Sequence, residues 1–160
     1  MKPQRSTETL YAFRLGDADG DYPIWDATGT TLFPGRWNSA TTPVIYAAEH
    51  VSTAMLEKLV HLGGLAPLAQ HYVRATIPAG TLVETVTPDH LPGWADADLK
   101  AARAYGDAWA ASGRGAVLRV PSYVVRLEWN FVFNPLHKDF ARIRVAEPLP
   151  VWWDARLFSG

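Results

Sequence analysis

The chain is 160 residues long, with no cysteine, seven tryptophans and a formal charge of −1. That length fits one domain and buries roughly 70% of the unfolded surface, so no disulfide or metal staple is needed. The lack of cysteine excludes a disulfide scaffold, a thiolate zinc site and a cysteine nucleophile, and neither half is basic enough to favour nucleic acid or an anionic membrane surface.

The first six residues are polar and predict no signal peptide, and no run approaches 18 apolar residues, so the expected location is the cytoplasm. Residues 9–15 alternate, with Tyr11, Phe13 and Leu15 against Leu10, Ala12 and Arg14, which predicts a strand. Residues 16–35 are rich in Asp, Gly, Thr and Pro and read as a long loop, a length that is usually functional or mobile in a small domain. A short buried strand follows at 43–47. The clearest helix spans 52–62, with Ser52 or Thr53 as cap and Gly63-Gly64 as stop. Its apolar arc is Met55, Leu56, Leu59, Val60 and Leu62. Glu57 lies at the arc's edge, about 60° from Val60.

Strands are expected over 70–77 and 81–85, joined by a turn at Pro78-Ala79-Gly80. An alanine-rich helix over 95–111 stops at Gly113. A strand over 116–120 ends at Pro121, and residues 128–133 alternate as another. Strands over 140–145 and 149–153 close the chain. The pattern lacks βαβ regularity, and the class is α+β around one core, a single domain over 1–160.

Several familiar motifs fail. Asp17-Ala18-Asp19-Gly20-Asp21 begins like a calcium loop, but Thr28 stands where a bidentate glutamate is needed. The glycines at 29 and 35 are spaced one residue too far for a P-loop and lead into Arg36-Trp37 rather than Lys-Ser/Thr. The five histidines show no metal spacing, so no metal is expected.

Three segments set polar groups in apolar surroundings. In Phe33-Pro34-Gly35-Arg36-Trp37-Asn38-Ser39, Arg36 is a candidate anion fork beside a stacking partner, or a surface arginine folded over Trp37. Tyr46 and Glu57 are candidates for one cleft. The plainer alternatives are a core ring with a satisfied hydroxyl and an exposed glutamate paired with His61 one turn on. Ser122 follows Val120-Pro121, and Asn130 and Asn134 interrupt an aromatic stretch that leads to His137. Buried asparagines there must be hydrogen-bonded, to a ligand or to a neighbouring loop.

These segments resemble the RES-domain family, toxins of bacterial type II toxin–antitoxin systems, named for an Arg, a Glu and a Ser. The resemblance rests on Gly35-Arg36-Trp37-Asn38-Ser39, Thr42-Pro43-Val44-Ile45-Tyr46-Ala47-Ala48-Glu49 and Thr53-Ala54-Met55-Leu56-Glu57. Val120-Pro121-Ser122, Asn130-Phe131-Val132-Phe133-Asn134-Pro135-Leu136-His137 and Trp153-Asp154-Ala155-Arg156-Leu157-Phe158 complete it, in the family's order. Lys138 departs from the pattern, which has proline after the histidine, and so does Ala155, where the family's tail often has proline.

The resemblance implies a fold similar to ADP-ribosyltransferases, with a mixed, mainly antiparallel sheet and flanking helices. It implies NAD as substrate, split at the nicotinamide–ribose bond with water or phosphate as acceptor, or used to modify a protein. It further implies an antitoxin with an Xre-type helix-turn-helix that covers the site and carries any DNA contact, and a homodimer within the complex. Catalysis then falls to Arg36, Glu57 and Ser122, and substrate binding to Arg36, Tyr46, Ser122, Asn130 and His137. A non-catalytic binding module, with Arg36 and Glu57 as a structural ion pair, is the alternative outside enzymes.

Overall fold

In the computed structural model, the described residues are 2–158, and their nine strands form one mixed sheet. The strands are β1 (Gln4–Arg5), β2 (Leu10–Asp17), β3 (Ile45–Ala48), β4 (Gln70–Ile77), β5 (Leu82–Thr85), β6 (Val117–Pro121), β7 (Trp129–Phe133), β8 (Arg144–Val145) and β9 (Leu149–Pro150). Their order is β1-β5-β6-β7-β3-β2-β4-β8, with β9 also on β4. The pairings are antiparallel except β5 with β6. That parallel pair needs a crossover, which α3 (Lys100–Ser112) supplies. The α+β class expected from the sequence is the one found.

Alternation along the central strands gives the sheet two apolar faces. Ile45, Ala47, Phe131 and Phe133 enter one cluster, and Val44 and Val132 enter another that includes Trp37, Trp94 and Trp109. Trp25 closes the first face, edge-on to Phe133 at 4.8 Å and stacked on Phe140 at 6.5 Å. Presenting Phe140 there takes a 3-10 turn over Lys138–Arg142, so only Arg144–Val145 of the strand expected over 140–145 forms. Likewise, the last expected strand shrinks to β9.

The segment 16–35 is not an open loop. β2 runs to Asp17, Ile24 is buried, and α1 (Thr28–Leu32) follows. Thr30 Oγ1 donates to the Ala27 and Val44 carbonyls at 2.9 and 2.6 Å, which pins the segment to the chain entering β3.

The helix α2 (Val51–Leu62) ends as expected, with Gly63 left-handed at φ 59°. Its orientation differs from expectation. Leu56 and Val60 are 44% and 60% exposed, whereas Ala54 packs beside Leu15 and Ala48. Ala54, Glu57, Lys58 and His61 share one side at i, i+3, i+4 and i+7 spacing. The polar side of the helix therefore faces inward, into a cleft.

Neither Ser52 nor Thr53 caps α2; His50 stands at the N-cap without a side-chain bond to the helix. The Thr53 hydroxyl donates instead to the Glu128 carboxylate, which also meets His50 Nδ1 at 3.2 Å. The Thr53 bond and the contact with His50 hold the Glu128 pKa below its ordinary value. Its contribution to stability is therefore full above the unfolded glutamate pKa of about 4.3 and is lost as pH falls through the lower folded value. Acid titrations of stability for wild type and Glu128→Gln should show a smaller loss over that window in the variant.

No helix among the described residues is long and apolar enough to cross a membrane.

Candidate active site

A cleft of about 740 Å³ opens over β3 and β7. One wall is α2. The other is the segment from Gly29 to Trp37, and residues 121–124 close one end. Arg36, Tyr46, Glu57 and Asn130 line it together, although 94 residues separate the first from the last in sequence.

Glu57 is held by two partners from other elements. Its Oε1 accepts from Ser122 Oγ at 3.2 Å and from Asn130 Nδ2 at 2.9 Å. Ser122 is fully buried at the turn between β6 and β7, where its amide donates to the Glu128 carbonyl at 3.0 Å. Its Oγ accepts from the Val125 amide, so its own proton points to Glu57. Asn130 reaches the carboxylate from the start of β7, and its Oδ1 is buried with no hydrogen-bond partner. Such an acceptor costs about 1–3 kcal/mol unless a donor arrives. His61 bonds the Glu57 carbonyl through Nδ1 at 2.7 Å, not its carboxylate, so the side-chain pair weighed as the plainer alternative is not found among the described residues.

Arg36 is fixed by one nitrogen. Nη1 donates to the Trp94 and Asp96 carbonyls, both at 3.1 Å, and the guanidinium lies 4.0 Å from the centre of the Tyr123 ring. Burial lowers its pKa first, while Tyr123 and Glu57 act in the other direction. Arg36 and Glu57 are not joined in an ion pair among the described residues. The structural pair weighed as an alternative is absent.

Tyr46 presents its ring to the cleft and spends its hydroxyl on the protein. The hydroxyl donates to Asn38 Oδ1 at 2.7 Å and accepts from the Trp37 amide at 2.9 Å. Burial pushes its pKa up, so the phenol stays protonated. Gly35 passes so close to this ring that a Cβ there would stand 2.7 Å from its atoms.

Asn38 organises this wall and was not singled out from the sequence as a site residue. It is fully buried, and its Nδ2 donates to the carbonyls of Thr30, Ser39 and Thr42 at 3.0 Å. Its Oδ1 accepts from the Gly35 amide at 2.8 Å and from Tyr46. Asn38→Ala should cost about 3 kcal/mol, because it strands a buried amide, a hydroxyl and three carbonyls. Calorimetry should show a fall in Tm of roughly 6–12 °C.

His137 does not join the others. It lies beyond the far end of β7 from Asn130, buried, and its Nδ1 accepts from the Asp139 amide at 3.0 Å as the cap of the 3-10 turn. It is outside the lining of the cleft. A polar residue that follows Asn-Pro also suits a cap, and the sequence alone did not separate that role from a ligand contact.

Residues 11–154 match the RES domain family. A protein called Prs ADP-ribosylating toxin, from Sphingobium sp. (strain YBL2), is 37% identical over 135 residues, 81% of this chain and 83% of that protein. Toxin Res from Photorhabdus laumondii subsp. laumondii is 32% identical over 154 residues, 94% of this chain and 99% of that protein. Among solved structures, the crystal structure of the M. tuberculosis MbcT–MbcA toxin–antitoxin complex contains a similar chain. Its TM-score is 0.70 at 16% identity, covering 91% of this chain and 86% of the other, a likeness of fold.

Proposed function

The chain belongs to the RES domain family, and from that membership we propose that it is the toxin of a toxin–antitoxin system, an enzyme that cleaves NAD at the nicotinamide–ribose bond. The observation that carries the proposal is the Glu57 carboxylate, held by Ser122 and Asn130 in a cleft that also presents Arg36. The name of the Sphingobium relative supports chemistry on NAD.

Cleavage breaks the bond between the ribose anomeric carbon and the nicotinamide nitrogen. The electron pair leaves with the nicotinamide, which departs neutral, so no strong acid is required. The ribose is left with oxocarbenium character. Glu57 faces that charge, and Ser122 and Asn130 fix the direction of the carboxylate before the reaction. A water oxygen then bonds the anomeric carbon and loses a proton to solvent, or an anionic phosphate oxygen bonds it with no proton to lose. Arg36 retains Nε and Nη2 as donors for a phosphate or the nicotinamide side of the substrate. The Tyr46 ring offers a face for the nicotinamide, and Asn130 serves the site through its bond to Glu57. His137 braces the fold and has no place in the binding set.

The proposal includes an antitoxin that covers the cleft in the cytoplasm, an Xre-type helix-turn-helix protein, with the toxin as a homodimer inside the complex. Expression in bacteria tests the functional core. Wild type should arrest growth, and Glu57→Ala should relieve the arrest at equal protein levels. Arrest by both forms removes the cleft from the toxic activity.

A second reading has a specific observation in its favour. The printed name of the Sphingobium relative describes ADP-ribosylation rather than NAD degradation. The same cleft serves a protein side chain as acceptor. Labelled NAD separates the two: label on a protein supports transfer, and label in free ADP-ribose or its phosphate supports degradation.

A further inference from the structure

The helix α2 meets the hairpin of β6 and β7 through two polar rungs one turn apart, and only the second belongs to the chemistry above. Thr53 and Glu57 stand at i and i+4 on α2, so both project along one face. Glu57 accepts from Ser122 and Asn130. One turn earlier, the Thr53 hydroxyl donates to Oε2 of Glu128. Thr53 is 1% exposed, so water is no ready substitute for that partner.

Glu128 immediately precedes β7, and its two ends serve different elements. Its carbonyl accepts from the Ser122 amide at 3.0 Å, which closes the turn that carries Ser122. Its carboxylate takes the Thr53 bond and meets His50, the N-cap residue of α2. Asn130 follows two residues later. One residue thus ties the helix bearing Glu57 to the turn bearing Ser122 and the strand bearing Asn130. The apolar packing of α2 lies elsewhere. Ala54 and Met55 join Leu15, Ala48, Tyr72 and Trp153, drawn from β2, β3, β4 and the chain after β9. In the sheet order, β2 and β4 lie on the side of β3 away from β7. That cluster seats α2 on the sheet and leaves its approach to the hairpin to the polar rungs.

We propose that Thr53 and Glu128 are positioning residues for Glu57: their hydrogen bond holds α2 against the hairpin, so that one carboxylate oxygen reaches Ser122 and Asn130 together. The Ser122 bond is already 3.2 Å long, and a retreat of α2 by about half an ångström carries it out of hydrogen-bond range. The inference rests on the NAD-cleaving reading only for its kinetic consequence.

Thr53→Val removes the donor and keeps the β-branched shape, and Thr53→Ser keeps the donor. Thr53→Val should lower kcat for nicotinamide release about tenfold or more with KM for NAD nearly unchanged, and Thr53→Ser should restore most of the rate. In a Glu57→Gln background the same change should cost little, because the charge it positions is gone. Glu128→Ala breaks the bond from a part-exposed position and should repeat the loss, which keeps the test open where Thr53→Val fails to fold. The Asn130 side-chain amide, which donates to Glu57, gives a readout without turnover: its NMR resonance should move in both variants. A kcat within about twofold of wild type in the folded variants, a loss that Thr53→Ser shares, or an Asn130 resonance that neither variant moves overturns the positioning role. A wild type that releases no nicotinamide, with an Asn130 resonance that still responds to Thr53→Val, keeps the positioning contact and overturns the proposed reaction instead.

Discussion

Glu57→Gln should slow nicotinamide release about a thousandfold while leaving the protein folded, the size of effect expected when one preorganised electrostatic group is lost at a developing charge. The argument turns on which atoms change. Oε1 of Glu57 accepts both the Ser122 and Asn130 bonds, and a glutamine carbonyl in that place accepts them equally. Geometry, packing and the partners' hydrogen bonds therefore persist, and only the negative charge is removed. The loss should fall on kcat, with KM for NAD changed far less, because the ribose gains its positive charge only on the way to the transition state. Steady-state kinetics with a melting curve for each protein check this. A drop of less than tenfold would remove Glu57 from the chemistry.

Gly106→Ala should unfold the protein more readily, by roughly 3 kcal/mol or more, despite the better helix propensity of alanine. Gly106 is buried in the middle of α3, and a Cβ there would stand 1.8 Å from the Trp37 carbonyl oxygen. That neighbour is backbone, and it cannot swing aside. The propensity gain of about 1 kcal/mol is outweighed by the separation of α3 from the 35–39 segment. The same interface includes Arg103 Nε on the Gly35 carbonyl at 3.1 Å and Asp107 on the Ser39 amide at 2.9 Å. Displacing it moves Arg36, which lies between these contacts in the chain. The variant should lose roughly 6–12 °C in Tm and also bind NAD more weakly. A variant as stable as wild type would contradict so close an approach.

Local pattern made much of the fold legible. Alternation placed β2 and β7, paired glycines ended α2, and Gly113 ended α3, because each is a signal carried by neighbouring residues. Where long-range packing decides, the pattern misled. The apolar arc of α2 points to Leu56 and Val60 as core, yet both are exposed, and Val60 lines the cleft beside Glu57 and Lys58. Phe140 falls within a stretch whose local pattern predicts a strand, because nothing local foretells its stacking on Trp25.

The site divides in the same way. Arg36, Tyr46, Glu57 and Asn130 converge as their segments suggested, and Ser122 joins them through Glu57. Arg14 looks in the sequence like any alternating strand residue, because its bond to the Tyr46 carbonyl forms only where β2 and β3 part after one pair. Gly106 carried a signal that could have been used. A glycine within an alanine-rich helix is costly and marks a close approach.

The most direct test of the central claim is nicotinamide release from NAD by the purified chain free of antitoxin, measured with and without phosphate. Wild type should release one nicotinamide per NAD consumed, and Glu57→Gln should do so about a thousandfold more slowly. A folded wild-type chain that releases no nicotinamide under either condition would contradict it.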